Sequence, residues 1–320
     1  FGSTGVYRDL PFALLFALQL LSVVVIAVVN AVHVLFRSQS EDEVREEAGE
    51  DSLGSRSRQM VTMLAVAAAV AVALATGWLA LLRAGARALI WIGAGGSCML
   101  ALANGIWLLV QGGAAGVALG LLSLLSCAGC VLFLLFNKHR VEFSVHLLTT
   151  VAELVHEYPA TIYVAAAALL VQLAWMILWS WAVACTSQLH GELVVLALLG
   201  LSFCWTVQVI KAVVHATVAG TIGSWYFLSP NMPRDPTGRS FRRATTTSFG
   251  SLCLGALVAA NLQMMRGAAR SAARHFTGPV RACALCMLGF VDVLVRFFNE
   301  FAYTQVALYG KTFTRASRDS

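Results

Sequence analysis

"ATVAGTIGSWYFLSPNMPRDPTGRSFRRATTTSFGS", residues 216–251, is the stretch where an otherwise apolar chain changes character. A helix-like apolar run ends in Trp225, Tyr226 and Phe227. A link holding Pro230, Pro233, Pro236 and four arginines follows, and a Ser/Thr/Gly run then turns apolar again. Proline ends the helix before it, and Trp and Tyr gather where a membrane span meets water. The stretch reads as the end of one membrane-spanning helix, a stiff cytosolic link over 228–244, and the start of another span.

The rest of the chain has the same grammar. Of 320 residues, 59% are hydrophobic and only 12% charged, against about 25% charged in a soluble domain. Apolar runs of about 20 residues, each long enough to cross a hydrocarbon core of about 30 Å, recur throughout. They are rich in Leu and Ala and lack the alternation of a barrel strand. The predicted fold is all-α, a polytopic transmembrane helical bundle forming a single domain over 1–320. Eight spans are expected: 11–36, 59–82, 87–110, 114–136, 161–184, 192–227, 245–265, and one from 280 past 298. The sixth is too long for a perpendicular crossing and must tilt, bend or project. The first residue is Phe1 and the end is polar, so the chain reads as an excised segment. The first apolar run is too long for a cleavable signal peptide.

Two polar segments differ in kind. Residues 37–58 hold seven acids and four arginines without an apolar face, and read as a solvated, external acidic loop. In 139–158, Val141, Val145, Leu148, Val151 and Val155 form one stripe, while Glu142, Glu153, His156 and Glu157 lie elsewhere. That is the pattern of an interfacial amphipathic helix. The positive-inside rule favours a cytosolic N-terminus, with twelve Lys and Arg on inner segments. The cluster Arg266, Arg270, Arg274 and Arg281 runs against this orientation. Either that segment extends a helix above the bilayer or one span is re-entrant. The overall expectation is a multi-pass protein of the plasma membrane.

Small residues in "GGAAGVALG" place Gly112, Gly116 and Gly120 on one face, which suits close helix packing in lipid. Charges inside spans cost about 2.5–3.5 kcal/mol each and ask for a reason. Gln208, Lys211 and His215 share a face of the sixth span, and Asp292, Arg296 and Glu300 follow an i, i+4, i+8 pattern in the eighth. They form either a self-satisfying ladder or a polar path. Most tryptophans near span ends read as interfacial anchors. Trp175, Trp179 and Trp205, with Gln208, can instead face inward and hold a quaternary ammonium on ring faces, at about 0.5–2 kcal/mol each.

Other chemistries lack their residues. No stretch interleaves basic and aromatic residues in a water-facing context, so nucleic acid is set aside. The C-x-x-C pairs Cys127/Cys130 and Cys283/Cys286 have no further ligand nearby, so neither a metal nor a cofactor is expected. No nucleophile turn or Walker loop occurs. An enzyme is disfavoured, and any transport is facilitated or ion-coupled.

"VVHATVAGTIGSWYF", "MPRDPT", "TTSFGSLCLGALVAANLQMMR" and "FFNEFAYTQVALYGKTF", with "YRDLPFALLFALQLL" near the N-terminus, appear in series. Together they resemble the choline-transporter-like family, solute carrier family 44, and especially its Pns1-like branch. The resemblance runs from Tyr7 to the C-terminus. It implies ten spans in the full-length fold, of which this chain lacks the last two. It also implies transport of choline or a related amine such as ethanolamine. Where the family motif carries a glutamate, this chain has Asp292, with Asn299 and Tyr303 retained. The reading that follows is a secondary carrier of small cationic amines in a lipid bilayer. Trp175, Trp179, Trp205 and Gln208 bind substrate, and Lys211, His215, Asp292, Arg296, Asn299, Glu300 and Tyr303 form a polar path. A membrane scaffold or lipid-interacting member of the same family is the alternative, and no oligomeric state is specified.

Overall fold

The computed structural model describes residues 7–41, 50–186, 192–229, 231–232, 234–273 and 279–320. Among these residues every regular element is a helix. Six helices are long and apolar enough to cross a membrane, with spans at Leu10–Val29, Arg87–Gln111, Gly116–Phe136, Ala160–Val183, Val194–Leu228 and Phe249–Ser271. Their outward leucines, such as Leu14, Leu18 and Leu21 at more than 60% exposure, form a surface suited to acyl chains and not to water. The chain is thus an all-α polytopic membrane protein. It divides into two compact units, Ala48–Glu157 and the remainder.

The first unit holds α1 (Glu50–Gln111), α2 (Ala114–Phe136) and α3 (Lys138–Glu157). The expected spans 59–82 and 87–110 are two arms of α1 that meet at Gly85, where φ −167° and ψ 54° leave the helix. The turn into α2 uses Gly112 and Gly113 at φ 71° and 86°, a left-handed conformation that L side chains resist. Gly112 therefore belongs to the turn and not, as its spacing suggested, to a packing face. Gly116 and Gly120 do form such a face. A Cβ on Gly120 would lie 2.9 Å from Leu109 and 3.0 Å from the Gly105 carbonyl, and one on Gly116 would lie 3.0 Å from the Leu108 carbonyl. Ser123 donates to the Ala101 carbonyl at 2.9 Å along the same seam, where small side chains let two backbones approach. In α3 the five stripe residues are half-buried while Glu142, Glu153, His156 and Glu157 are exposed. Arg87 meets Glu142 at 3.3 Å.

The second unit comprises α4 (Leu10–Glu41), α5 (Ala160–Thr186), α6 (Glu192–Leu228), α7 (Pro236–Thr245), α8 (Phe249–Ala273), α9 (Pro279–Tyr309) and α10 (Phe313–Asp319). The acidic segment 37–58 is helical where described: its start prolongs α4 and its end opens α1, while 42–49 lie outside the described residues. α8 continues through Arg266 and Arg270 to Ala273. The expected eighth span falls on α9.

The opening stretch folds differently from its first reading. Most of the described part of the expected 228–244 link is the helix α7. Asp235 accepts the Gly238 N–H at 2.9 Å as an N-cap, and Pro236 occupies the first turn of α7. Proline stops what precedes it, yet its fixed φ suits the first helical position, so the residue that ends one element begins the next. Pro230 and Pro233 lie outside the described residues. α6 runs unbroken through Gly220 and Gly223. A Cβ on Gly220 would come within 2.9 Å of Ser240 Oγ on α7, and one on Gly223 would collide with Leu308 on α9. The absent side chains let α7 and α9 close on α6. Burial in the same seam lowers the Arg243 pKa through loss of solvation.

α6 is the centre of this unit. Ala212, Ala216, Leu252, Tyr303, Val306 and Phe313 form one buried cluster with α8, α9 and α10. Phe16, Trp205, Val209, Cys253 and Ala256 form another with α4. Asp9 ties three elements together: its Oδ2 accepts from Ser251 Oγ at 2.6 Å and from the Phe313 N–H at 3.4 Å. The preceding Arg8 N–H donates to the Thr247 carbonyl at 3.2 Å. Asp9 has φ 54°, a region that Asp and Asn tolerate better than other L residues. Asp9→Ala is expected to destabilise the protein by about 2 kcal/mol, since it strands two donors, and Asp9→Asn by less. Thermal melting in detergent checks the order; equal melting of the alanine variant and the wild type would remove the tie.

Candidate functional site

Two helices of the second unit each place a short polar series at helical spacing, and a third adds one amide. On α6, Gln208, Lys211 and His215 fall on one face, as i, i+3 and i+7 must. On α8, Gln263 stands one turn beyond Ala259, and on α9 Asn299, Glu300 and Tyr303 share a face. Together with Ala212 and Leu262 they line one pocket of about 240 Å³. Ala212 and Ala259 are small, which leaves the space open between larger polar neighbours.

The pocket is internally wired. Gln208 Nε2 donates to Gln263 Oε1 at 3.0 Å. Thr304 Oγ1 donates to the Glu300 carbonyl at 2.9 Å and lies 3.0 Å from His215 Nε2. A threonine hydroxyl has one proton, so Nε2 is the donor in this pair. The Tyr303 ring is 6.1 Å from His215 and 5.8 Å from Phe313. Glu300 and Lys211 are exposed, whereas Tyr303 is buried. The arrangement offers one carboxylate, several amide oxygens and an aromatic ring, beside one resident ammonium. Such a set suits a small cationic solute with a polar tail.

Six of the sequence-predicted residues therefore meet here: Gln208, Lys211, His215, Asn299, Glu300 and Tyr303. Asp292 and Arg296 lie on α9, but their side chains fall outside the described residues. The three tryptophans are not gathered into a cage. Trp175 lines a separate apolar cavity, where its buried Nε1 finds no partner. Trp179 donates to the Leu199 carbonyl at 2.9 Å and packs on Phe203 at 4.7 Å between ring centroids. Trp205 donates to the Cys253 carbonyl at 3.0 Å and meets Phe16 edge-on at 5.3 Å. Each of the last two rings joins helices. Gln208, grouped with them by chain proximity, points to the polar pocket instead.

Sequence reasoning missed Gln263 and Thr304. A signal for the first was present, since an uncharged amide inside an apolar span asks for a partner. Thr304 gave none, because its role depends on where α9 meets His215. Among the described residues no group of three His, Cys, Asp or Glu side chains can hold a metal. In the Cys127/Cys130 pair, Cys127 Sγ instead points to the Cys98 carbonyl at 3.4 Å, while Cys283 has no described side chain.

The sequence profile described as "Plasma-membrane choline transporter" matches residues 121–320, which include α6, α8 and α9. A CTL-like protein of Dictyostelium discoideum is 30% identical over 76% of this chain and 45% of its own length. Protein PNS1 of Debaryomyces hansenii is 32% identical over 57% of this chain and 41% of its own length. Protein PNS1 of Kluyveromyces lactis is 27% identical over 98% of this chain and 62% of its own length. The chain spans about half the length of these curated relatives.

Proposed function

The chain belongs to the plasma-membrane choline transporter family, and from that premise we propose that it carries choline or a related amine across the membrane, with the pocket between α6, α8 and α9 as its substrate site. One observation carries the reading: polar side chains from three packed helices converge on a single pocket. Polar groups are costly in spans and persist there chiefly to meet one another or a solute.

The chemistry follows from the lining. A quaternary ammonium gives no hydrogen bond, so its charge is met by Glu300 and the Tyr303 ring. The hydroxyl of choline is met by the amides of Gln208, Gln263 and Asn299. Lys211 is a resident cation beside the carboxylate, and a substrate ammonium must displace its influence to bind.

Orientation has support as well. Arg8, the arginines of α7, and Lys311, Arg315 and Arg318 on or near α10 fall at one end of the second unit, since Arg8 and Asp9 bind Thr247, Ser251 and Phe313. Such a basic end belongs on the cytosolic face of the plasma membrane. A tag preceding α4 should be labelled only after permeabilisation of cells; labelling of intact cells would reverse the topology.

The deciding experiment uses the protein that carries this chain, purified into liposomes. Labelled choline uptake is measured against excess unlabelled choline and ethanolamine. Saturable uptake, competed by choline, supports the carrier. Uptake equal to that of empty liposomes removes choline as the substrate and favours the scaffold alternative.

A further inference from the structure

A second, apolar cavity lies on the other side of α6. It measures about 780 Å³ and is bounded by α4, α5, α6 and α7. It runs from Leu178 and Val24 at one end to Tyr163 and Phe241 at the other. Fifteen residues of α5 separate Leu178 from Tyr163, about 22 Å of helix. One leaflet of a hydrocarbon core is about 15 Å deep. Ala167, Ala168 and Ala174 on α5 leave the space, and the groove opens outward, since Tyr163, Val171 and Phe241 are exposed. Inside a bilayer such a groove is filled, because an empty one forfeits its dispersion contacts.

The end at α7 is basic. Arg242 is exposed, adjacent to Phe241 and three residues before Thr245, both of which line the groove. Arg8 stands at the same end, where its N–H binds Thr247 two residues before the lining Phe249. The acids nearest in sequence are committed elsewhere: Asp235 caps α7 and Asp9 binds Ser251 and Phe313. A greasy channel somewhat longer than one leaflet is deep thus has Arg242 and Arg8 at its α7 end, and guanidinium groups are the donors best shaped to grip a phosphate.

We propose that the groove between α4, α5 and α6 holds one acyl chain of an anionic phospholipid whose phosphate rests against Arg242 and Arg8. The apolar walls select a chain, and the arginines select the headgroup. The site is separate from the polar pocket and stands whether or not choline is the substrate.

The test compares phosphatidylglycerol and phosphatidylcholine with identical acyl chains. The delipidated protein that carries this chain is given an equal mixture of the two in detergent, and bound lipid is counted by native mass spectrometry. Wild type is expected to retain phosphatidylglycerol about tenfold over phosphatidylcholine. Arg242→Glu should bring that ratio near one while leaving lipid bound. Ala168→Phe, which fills the groove, should lower retention of both. Melting curves confirm that each variant is folded. Retention of no lipid means that protein fills the groove, whether another segment or a second copy, and overturns the proposal. A wild-type ratio near one, or a ratio unchanged by Arg242→Glu, overturns it as well.

Discussion

Gly250→Ala is expected to lower the melting temperature of the protein by about 10 °C. Gly250 is the second residue of α8, and a Cβ there would collide with the carbonyl oxygens of Arg8 and Asp9. These are backbone atoms and cannot rotate aside as a side chain does. The N-terminal segment must move, which breaks the hydrogen bonds of Asp9 with Ser251 and Phe313. Overpacking costs about 1–3 kcal/mol, and a lost hydrogen bond about 1 kcal/mol more. A total of about 3 kcal/mol corresponds to a shift near 10 °C for a domain of this size. Gly267→Ala in the same helix is the control. Nothing lies within 4 Å of its Cβ position, and alanine gains up to about 1 kcal/mol of helix propensity there. Equal melting of the two variants would sink the account.

The second large effect concerns transport. Glu300→Gln is expected to lower choline uptake at low concentration by about 10- to 100-fold, because a contact to a charged group is worth about 1.5–3 kcal/mol. Lys211→Gln should act in the opposite direction on KM. It removes a like charge from the pocket that the substrate enters, and like charges in one site repel. If Lys211 also times the conformational cycle, kcat falls in the same variant. Initial rates against choline concentration in liposomes separate the two parameters. A purely structural role for the pair predicts lower protein abundance with unchanged KM in the surviving fraction. That result, or a KM that moves the same way in both variants, would reject the pocket as the substrate site.

Parts of this site were legible in the sequence because a charge or amide within an apolar run is conspicuous. Gln208, Lys211 and His215 could be placed on one face of α6 from spacing alone. Glu300 could be placed on α9 in the same way, while Asn299 and Tyr303 were marked by the family resemblance. Their meeting could not. The place of the tryptophans could not be read from the sequence for a related reason. A ring in a span serves equally well as a cation platform or as a hydrogen-bonded wedge between helices, and the choice rests on which carbonyl lies opposite. For Trp205 that carbonyl belongs to Cys253, and for Trp179 to Leu199.

What the sequence determined by itself is the class of molecule: apolar runs of membrane length, with helical periodicity and no strand alternation, leave only a helical bundle in lipid. It also marked most of the helix ends and the polar faces. The tertiary structure decided which faces meet. It made a helix start out of a proline link, seams out of Gly220 and Gly223, and one pocket out of two polar series and a lone glutamine. The reason is physical. Lipid and helix surfaces are about equally apolar, so hydrophobicity does not tell a side chain whether to face a neighbour or the bilayer. That choice is made by close fit and hydrogen bonding between residues far apart in the chain, such as Asp9 with Ser251 and Phe313.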